Sequence, residues 1–191
     1  MVKVVFIVEG DVEKIIVEKC FIETGWLASK NIEPLTPVIN ASGGGNLCPH
    51  NMPDFVAQAR ALEPDKIIIL TDLECDPCIL KTKTRLGDCE ECIIIISKKA
   101  FEAWFLADDR LLSTMTNQSL EHFEFPELTL DMPFDTFKSL LVKHTNRGTG
   151  SKVQLAKKVS KNRFNIENSA KHPNCPSAKY FIDKIISIGE N

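Results

Sequence analysis

The stretch Val4-Val5-Phe6-Ile7-Val8-Glu9-Gly10-Asp11-Val12-Glu13 predicts how this chain folds. Its first five residues, apolar and mostly β-branched, form the short run expected of a strand buried on both faces of a parallel sheet. Gly10 permits a tight turn, and Asp11 is a good N-cap for an amphipathic helix over Val12–Ile22. The stretch therefore predicts a strand, a turn and a helix, with Glu9 at the carboxyl end of the strand. Open α/β sheets bind their ligands at that edge.

Further apolar runs predict the rest of the sheet. Lys66–Thr71 and Cys92–Ser97 are strong strand candidates, and Leu35–Asn40 is a weaker one because it contains Pro37. Helices are predicted over Asp54–Leu62, Lys98–Asp109, Thr136–His144, Ser151–Lys161 and Pro176–Ile188. Because strands alternate with helices, we expect an α/β fold with a central parallel sheet flanked by helices, Rossmann-like in architecture. We expect this core over residues 1–112 and a mostly helical C-terminal extension over residues 113–191.

Composition restricts the class of protein. The chain has 191 residues, of which 43% are hydrophobic and 26% charged, as is typical of a soluble globular domain. It contains no apolar run near the roughly 20 residues of a membrane span, and no signal peptide is recognisable. We therefore expect a cytoplasmic protein without a membrane partner. Seven cysteines in such a setting are expected to be free thiols or metal ligands.

Charge is distributed unevenly although the net charge is only −3. Residues 101–135 contain eight acids and only Arg110 as a base, whereas residues 138–172 contain nine bases and only Glu167 as an acid. Such asymmetry can mark a surface that binds a polyanion, and a solvated helical face is the alternative.

Acidic side chains follow two of the predicted strands. Glu9 and Glu13 follow the first strand, and Asp72 and Glu74, with Asp76 close by, follow the strand at Lys66–Thr71. Carboxylates without histidine are hard oxygen ligands that suit Mg²⁺ or Mn²⁺, and a cation would relieve their mutual repulsion. Alternatively, each acid only caps a turn or favours a helix N-terminus. The sequence thus predicts a candidate metal site at one edge of the sheet.

A glycine-rich loop, Ser42-Gly43-Gly44-Gly45-Asn46, lies between the predicted strands. Its backbone N–H groups could face a phosphate, but it lacks the Lys-Ser/Thr of a P-loop. We interpret it as a connector.

These motifs resemble the Toprim family. Val8-Glu9-Gly10 after one strand and Asp72-x-Glu74 after a later one resemble its glutamate and Asp-x-Asp motifs. Glu9 with Glu13 resembles the nucleases of the overcoming-lysogenisation-defect (OLD) type. The segment Ala100–Asp108 (AFEAWFLAD) and the segment Cys175–Phe181 resemble domain of unknown function 4276 (DUF4276), a Toprim-like family.

The resemblance implies a Toprim-like fold and Mg²⁺-dependent cleavage of nucleic-acid phosphodiesters. By position, Glu102 matches a further acid of the OLD nucleases, and Lys152 is our choice for their lysine. Alternatively, Glu102 anchors its helix by hydrogen bonding to Trp104 or to the backbone, and Lys152 begins a solvated helix. Glu74 stands where the family has the second aspartate of its motif, which places the second metal site in doubt. Asp76, two residues further on, is the alternative ligand in place of that aspartate.

Cysteine spacing suggests a second metal. Cys75-x-x-Cys78 and Cys89-x-x-Cys92 have zinc-ribbon-like spacing, which predicts a possible structural Zn²⁺, with buried free thiols as the alternative.

We therefore predict a metal-dependent nuclease, with Glu9, Glu13, Asp72, Glu74, Glu102 and Lys152 as catalytic residues and Glu9, Asp72, Glu74 and Asp76 as Mg²⁺ or Mn²⁺ ligands. The predicted partner is DNA or RNA, together with an ATPase in a prokaryotic defence or repair system, as the resemblance implies. The alternative is a non-catalytic module that keeps the fold, Mg²⁺ and nucleic-acid binding within such a complex.

Overall fold

The computed structural model describes residues 1–73, 76–87, 89–119 and 122–190. The strands are β1 (Val2–Val8), β2 (Ile32–Pro34), β3 (Ile39–Asn40), β4 (Lys66–Asp72) and β5 (Cys92–Ser97). They form a five-stranded sheet in the order β2-β1-β4-β5, with β3 also paired to β1, and every pairing is parallel. The predicted α/β fold with a central parallel sheet is confirmed.

Helices cover both faces of the sheet. They are α1 (Asp11–Ile16), which continues as a π-helix over Val17–Ile22, α2 (Met52–Arg60), α3 (Ile79–Leu86), α4 (Glu102–Leu106), α5 (Asp109–Thr116), α6 (Pro133–Thr145), α7 (Lys152–Lys161), α8 (Ile166–Lys171) and α9 (Pro176–Gly189). Short 3₁₀ turns lie at Ala28–Lys30, Gly44–Asn46 and Pro126–Leu128.

The two faces of β1 bury different cores because successive side chains of a strand point to opposite sides. Val5 and Ile7 lie in a smaller cluster with residues of α2. Phe6 and Val8 lie in a larger cluster with residues of α1, α4, α7 and α9. Burial on both faces explains why β1 is a continuous apolar run in the sequence.

The start of α1 differs from the prediction. Gly10 is the N-cap residue, and Asp11 is the first residue of the helix. The Asp11 carboxylate instead accepts a hydrogen bond from Asn40 Nδ2 at 2.7 Å, which ties α1 to β3.

Two further predictions need correction. Of the strand expected over Leu35–Asn40, only Ile39–Asn40 forms a strand, β3, and β2 lies before the predicted range. Pro37, whose missing N–H cannot join a sheet ladder, lies between the two. The expected helix over Lys98–Asp109 is divided: Lys99 has a positive φ of 69°, so α4 starts only at Glu102, and Asp108 is the N-cap of a separate helix, α5. Helices α3 and α8 were not predicted.

The C-terminal helices pack directly on the sheet domain. Trp104 and Phe105 of α4 are fully buried, and their rings contact Phe181 of α9 and Phe137 of α6. One hydrophobic cluster therefore includes residues from both predicted units, and the boundary between residues 112 and 113 stays a prediction. Among the described helices, none is long and apolar enough to cross a membrane.

Candidate active site

Glu9 is held at the carboxyl end of β1 by the neighbouring strand. Its backbone N–H donates to Leu70 O at 3.0 Å, which continues the parallel register one residue beyond β1. The buried Glu9 carboxylate accepts hydrogen bonds at Oε2 from Thr71 Oγ1 at 2.5 Å and from the Asp72 N–H at 3.0 Å. Strand pairing thus fixes the orientation of this carboxylate.

The glycine-rich loop lies against the other oxygen of Glu9. The Gly43 N–H donates to Glu9 O at 2.8 Å. A Cβ atom added to Gly44 would lie only 2.7 Å from Glu9 Oε1, so a larger residue there would displace the carboxylate. The loop is therefore more than the connector that the sequence suggested, because it forms one wall around Glu9.

Asp72 is the last residue of β4 and is directly opposite Ser97, the last residue of β5. The Ser97 hydroxyl donates a short hydrogen bond to Asp72 Oδ1, and both residues are buried. Neither Ser97 nor Thr71 was predicted as a site residue. Both are strand residues of ordinary composition, and only the register shows that their hydroxyls meet carboxylates.

Glu13 and Glu102 come from helices that begin next to the sheet edge. Glu13 lies in the first turn of α1, is 5% exposed and accepts a hydrogen bond at Oε2 from the Gly10 N–H at 3.0 Å. Glu102 is the first residue of α4, is 2% exposed and lies 3.5 Å from Lys152 Nζ. Lys152 begins α7, where Ser151 is the predicted N-cap and accepts from the Gln154 N–H.

The pKa values of three of these acids are raised. Burial raises the pKa of Asp72 well above its ordinary value, and the charges of Glu13, Glu9 and Glu102 raise it further. Burial likewise raises the pKa of Glu13 from 4.5 to about 7, with Glu102 and Glu9 acting in the same direction. Burial raises the pKa of Glu102 as well, although the Lys152 ammonium opposes this shift. Ionising Glu13, Asp72 and Glu102 together is therefore unfavourable unless a cation compensates their charges.

Lys152 is the cation that faces this group. Burial lowers the pKa of its ammonium, but attraction to Glu102, Asp72 and Glu13 outweighs that effect and the net shift is upward. About half of the Lys152 side chain remains exposed. A half-exposed ammonium is therefore attracted to three of the buried acids.

Other predicted residues lie apart from this group. The Asp76 carboxylate accepts hydrogen bonds from Thr82 Oγ1 at 2.9 Å and Arg85 Nε at 3.0 Å, and these bonds lower its pKa. Asp76 is therefore already engaged with α3. Glu74 lies outside the described residues.

The predicted zinc ligands are not all free thiols. Cys89 and Cys92 are joined in a disulfide, which corrects the expectation that every cysteine is a free thiol or a metal ligand, because a disulfide sulfur is not a thiolate. Cys78 is free and exposed, and Cys75 lies outside the described residues. A zinc site formed by all four cysteines would require a reduced chain and stays a prediction.

The donors of the site suit Mg²⁺ by chemistry. Among the described residues, no three Asp, Glu, His or Cys side chains converge as a ready-made metal cage. Mg²⁺ does not require one, since it keeps several waters and is commonly held by one or two carboxylates together with substrate phosphates. Glu9 and Asp72 provide such carboxylates, and Thr71 and Ser97 hold them in place.

Comparisons with known proteins give distant structural likenesses. No protein-family model matches the chain, and no curated protein matches it. The structure is similar to the C-terminal region of the Burkholderia pseudomallei OLD protein, with a TM-score of 0.47 and 16% identity over 97% of this chain and 99% of that one. It is also similar to the C-terminal region of the Xanthomonas campestris pv. campestris OLD protein, with a TM-score of 0.37 and 16% identity over 98% of this chain and 95% of that one. Membership of the Toprim and DUF4276 families stays a prediction.

Proposed function

We propose that this chain is a metal-dependent nuclease that cleaves phosphodiester bonds at the carboxyl edge of its sheet. The observation that carries the proposal is the group of buried acids from three parts of the chain, Glu9 and Glu13, Asp72, and Glu102, with Lys152 as their facing cation. Buried carboxylates that lie close to one another destabilise a fold unless a cation or a proton compensates them. Such an arrangement is more easily understood as a site than as a structural element.

The chain's own residues would prepare the site in three ways. Glu9 and Asp72 would hold the cation, because hydroxyl and backbone donors already fix their carboxylates. Glu13 would give up a proton when the cation binds near neutral pH, since its pKa is about 7. Lys152 would stabilise negative charge on the phosphate through its exposed ammonium. A bound Mg²⁺ or Mn²⁺ would supply Lewis-acid stabilisation of the phosphoryl oxygens and an activated water.

Helix α7 supports nucleic acid as the substrate. It packs against α1 beside the site and starts with Lys152. Further along, Lys157, Lys158 and Lys161 are exposed, while Leu155 and its neighbours are buried. A basic helical face that leads away from the acids is suited to hold a phosphate backbone. This face belongs to the basic stretch that the sequence predicted as a polyanion surface.

The resemblance to the Toprim and DUF4276 families supports this proposal, because Glu9, Asp72 and Glu102 match acidic positions of those families. Glu74 replaces the usual aspartate, so the number of bound cations is left open. On the same resemblance we propose a role in prokaryotic defence or repair beside an ATPase.

A cleavage assay tests the proposed function. Purified chain would be incubated with single- and double-stranded DNA and RNA in Mg²⁺, Mn²⁺ or EDTA, beside the Glu9→Gln variant. We expect cleavage that requires a divalent cation and is lost in the variant, while binding in a gel-shift assay persists. Cleavage that is equal in EDTA, or unchanged in the variant, would contradict the proposed site.

A non-catalytic nucleic-acid module is the second candidate. The Glu102–Lys152 ion pair favours it, because it neutralises one buried acid without any metal. Binding without cleavage on every substrate, in both Mg²⁺ and Mn²⁺, is the result expected of that module.

A further inference from the structure

A polar groove of about 360 Å³ lies at the end of α7 that is remote from the buried acids. Its walls come from α5, from the end of α7 with the turn that follows it, and from the start of α8. Three cations and three asparagines line it: Arg110, Lys161, Arg163, Asn162, Asn165 and Asn168. None of the described residues that line the groove is an aspartate or a glutamate, so its surface is cationic.

The cations of this groove lack partners in the described part of the chain. The guanidinium groups of Arg110 and Arg163 and the ammonium of Lys161 have neither an ion-pair nor a hydrogen-bond partner there. Asp109 and Glu167, the exposed acids next to lining residues in the sequence, each contact a base outside the groove. Three like charges around one groove repel one another, and a bound anion would relieve that repulsion.

Arg110 is unfavourably placed for the stability of its own helix. Helix α5 begins at Asp109, so Arg110 lies in its first turn. The partial positive charge of a helix N-terminus disfavours a cation at this position. Helix stability therefore does not explain this charge, and an anion in the groove would compensate it.

Asp108 holds two walls of the groove together from below. Its buried carboxylate accepts hydrogen bonds from the Asn165 N–H at 3.0 Å and from Asn168 Nδ2 at 3.0 Å, and it caps α5 through the Leu111 N–H. These bonds connect α5 to the start of α8. The groove is thus built by the fold and does not require a ligand to form.

Helix α7 connects the groove to the acids. Lys152 at its start lies 3.5 Å from Glu102, and Lys161 at its end lines the groove. Their nine positions of separation, at about 1.5 Å each, place them about 14 Å apart along the helix, close to about four steps of a nucleic-acid duplex. A polyanion with regularly spaced charges can therefore contact both ends of α7 at once.

We propose that this groove binds the sugar–phosphate backbone of a nucleic acid, several nucleotides away from the bond that lies at the acids. Arg110, Lys161 and Arg163 contact phosphate oxygens, which gives affinity and register without reading the base sequence. The occupant is the substrate of the proposed function, on which this inference rests. The groove itself takes no part in the chemistry.

The salt dependence of binding tests the proposal. Fluorescence anisotropy would follow a labelled oligonucleotide, single- or double-stranded, in EDTA between about 50 and 200 mM salt. Arg110→Ala/Arg163→Ala should weaken binding about tenfold at the lower salt concentration and reduce the slope of log affinity against log salt by about two, since each lost phosphate contact removes about one. Lys66→Ala/Lys184→Ala is the matched control, because these two cations line a separate cavity at the amino end of β4. The control should keep the wild-type slope.

Three results would overturn the proposal: a wild-type chain that binds no oligonucleotide, equal slopes in wild type and Arg110→Ala/Arg163→Ala, or equal loss of slope in the control. Competition by polyglutamate as effective as that by unlabelled oligonucleotide would also overturn it and assign the groove to an acidic protein. Circular dichroism would check that each variant is folded. Because binding is measured in EDTA, the slopes test the groove even if the chain cleaves no substrate, which would be a failure of the proposed function alone.

Discussion

Asp72 and Asp108 are both buried, with 5% and 1% of their surface exposed, but their surroundings differ. Asp108 accepts hydrogen bonds from the Leu111 N–H, the Asn165 N–H and the Asn168 side chain, so the protein supplies donors to both of its oxygens. Asp72 accepts one side-chain hydrogen bond, from the Ser97 hydroxyl, and the charges of three other acids act on it. A buried carboxylate that accepts hydrogen bonds from the chain stabilises the fold. A buried carboxylate close to other acids lacks such compensation and is suited to bind a cation from solution.

The largest expected difference concerns activity. Asp72→Asn keeps the shape of the side chain but removes a charge that the proposed cation needs, so cleavage should fall by about 1,000-fold or more. In EDTA at pH 8 the same variant should be as stable as the wild type or more stable, since repulsion among the acids is reduced. Cleavage rates and urea denaturation would measure the two effects. Asp183→Asn, an exposed aspartate on α9, is the control.

Loss of the Asp108 carboxylate should affect stability instead. Asp108→Ala leaves the buried N–H groups of Leu111 and Asn165 without an acceptor, and we expect the free energy of unfolding to decrease by about 3 kcal/mol. Asp109→Ala removes a neighbouring, half-exposed acid that pairs with His122, and should cost less than about 1 kcal/mol. Urea denaturation compares the two. Equal losses would show that the donors around Asp108 are not what distinguishes it.

The pH dependence of stability should reveal the uncompensated acids. Because the folded chain raises the pKa of Glu13 from 4.5 to about 7, the folded state binds a proton that the unfolded state has released between these values. The contribution of Glu13 to stability without metal should therefore be fully present below pH 4.5 and be lost as the pH rises through about 7, by at most about 1.4 kcal/mol per pH unit. Raised pKa values at Asp72 and Glu102 act in the same direction.

Urea denaturation in EDTA across this pH range measures the slope. Glu13→Gln should flatten it, and Mg²⁺ should restore stability near neutral pH because the cation replaces the proton. A slope that is the same in Glu13→Gln and wild type would contradict the assignment of the effect to Glu13.

The smallest expected effect concerns the hydroxyl that holds Glu9. Thr71→Val keeps the volume of the side chain but removes the 2.5 Å hydrogen bond to Glu9 Oε2. Mg²⁺ affinity should fall about tenfold, as is usual when a group behind a metal ligand is lost. Mg²⁺ titration followed by thermal stability measures this change. Thr114 has an exposed hydroxyl that donates to Arg110 O, and the Thr114→Val control should leave the affinity unchanged.

The motif Ala100–Asp108 contains both an acid of the proposed site and an acid that the chain itself supplies with hydrogen-bond donors. Its Glu102 lies at the proposed site, whereas its Asp108 caps α5 and connects it to the start of α8. The indole N–H of Trp104 donates to Ser177 Oγ and not to Glu102, so Trp104 is not the anchor of Glu102, and an anchoring bond to the backbone stays the alternative. The sequence alone could not separate these roles, because Asp108 obtains two of its three donors from residues more than 50 positions away.

The sequence by itself determined the parallel sheet and the edge at which Glu9 and Asp72 lie. Apolar runs such as Val4–Val8 are long enough to form buried strands, and parallel strands bring their carboxyl ends together whatever the connections are. Local signals also predicted Ser151 as the cap of α7, since capping depends only on residues within one turn.

Only the tertiary structure decided what surrounds each acid. Register placed Thr71 beside Glu9 and Ser97 beside Asp72, and packing brought Lys152 to Glu102 across 50 residues of sequence. Tertiary packing also brings Gly44 against the Glu9 carboxylate and the Asp76 carboxylate against Arg85. Cys89 forms a disulfide with Cys92. These contacts depend on burial and on distances between remote segments, which residue type and spacing do not encode.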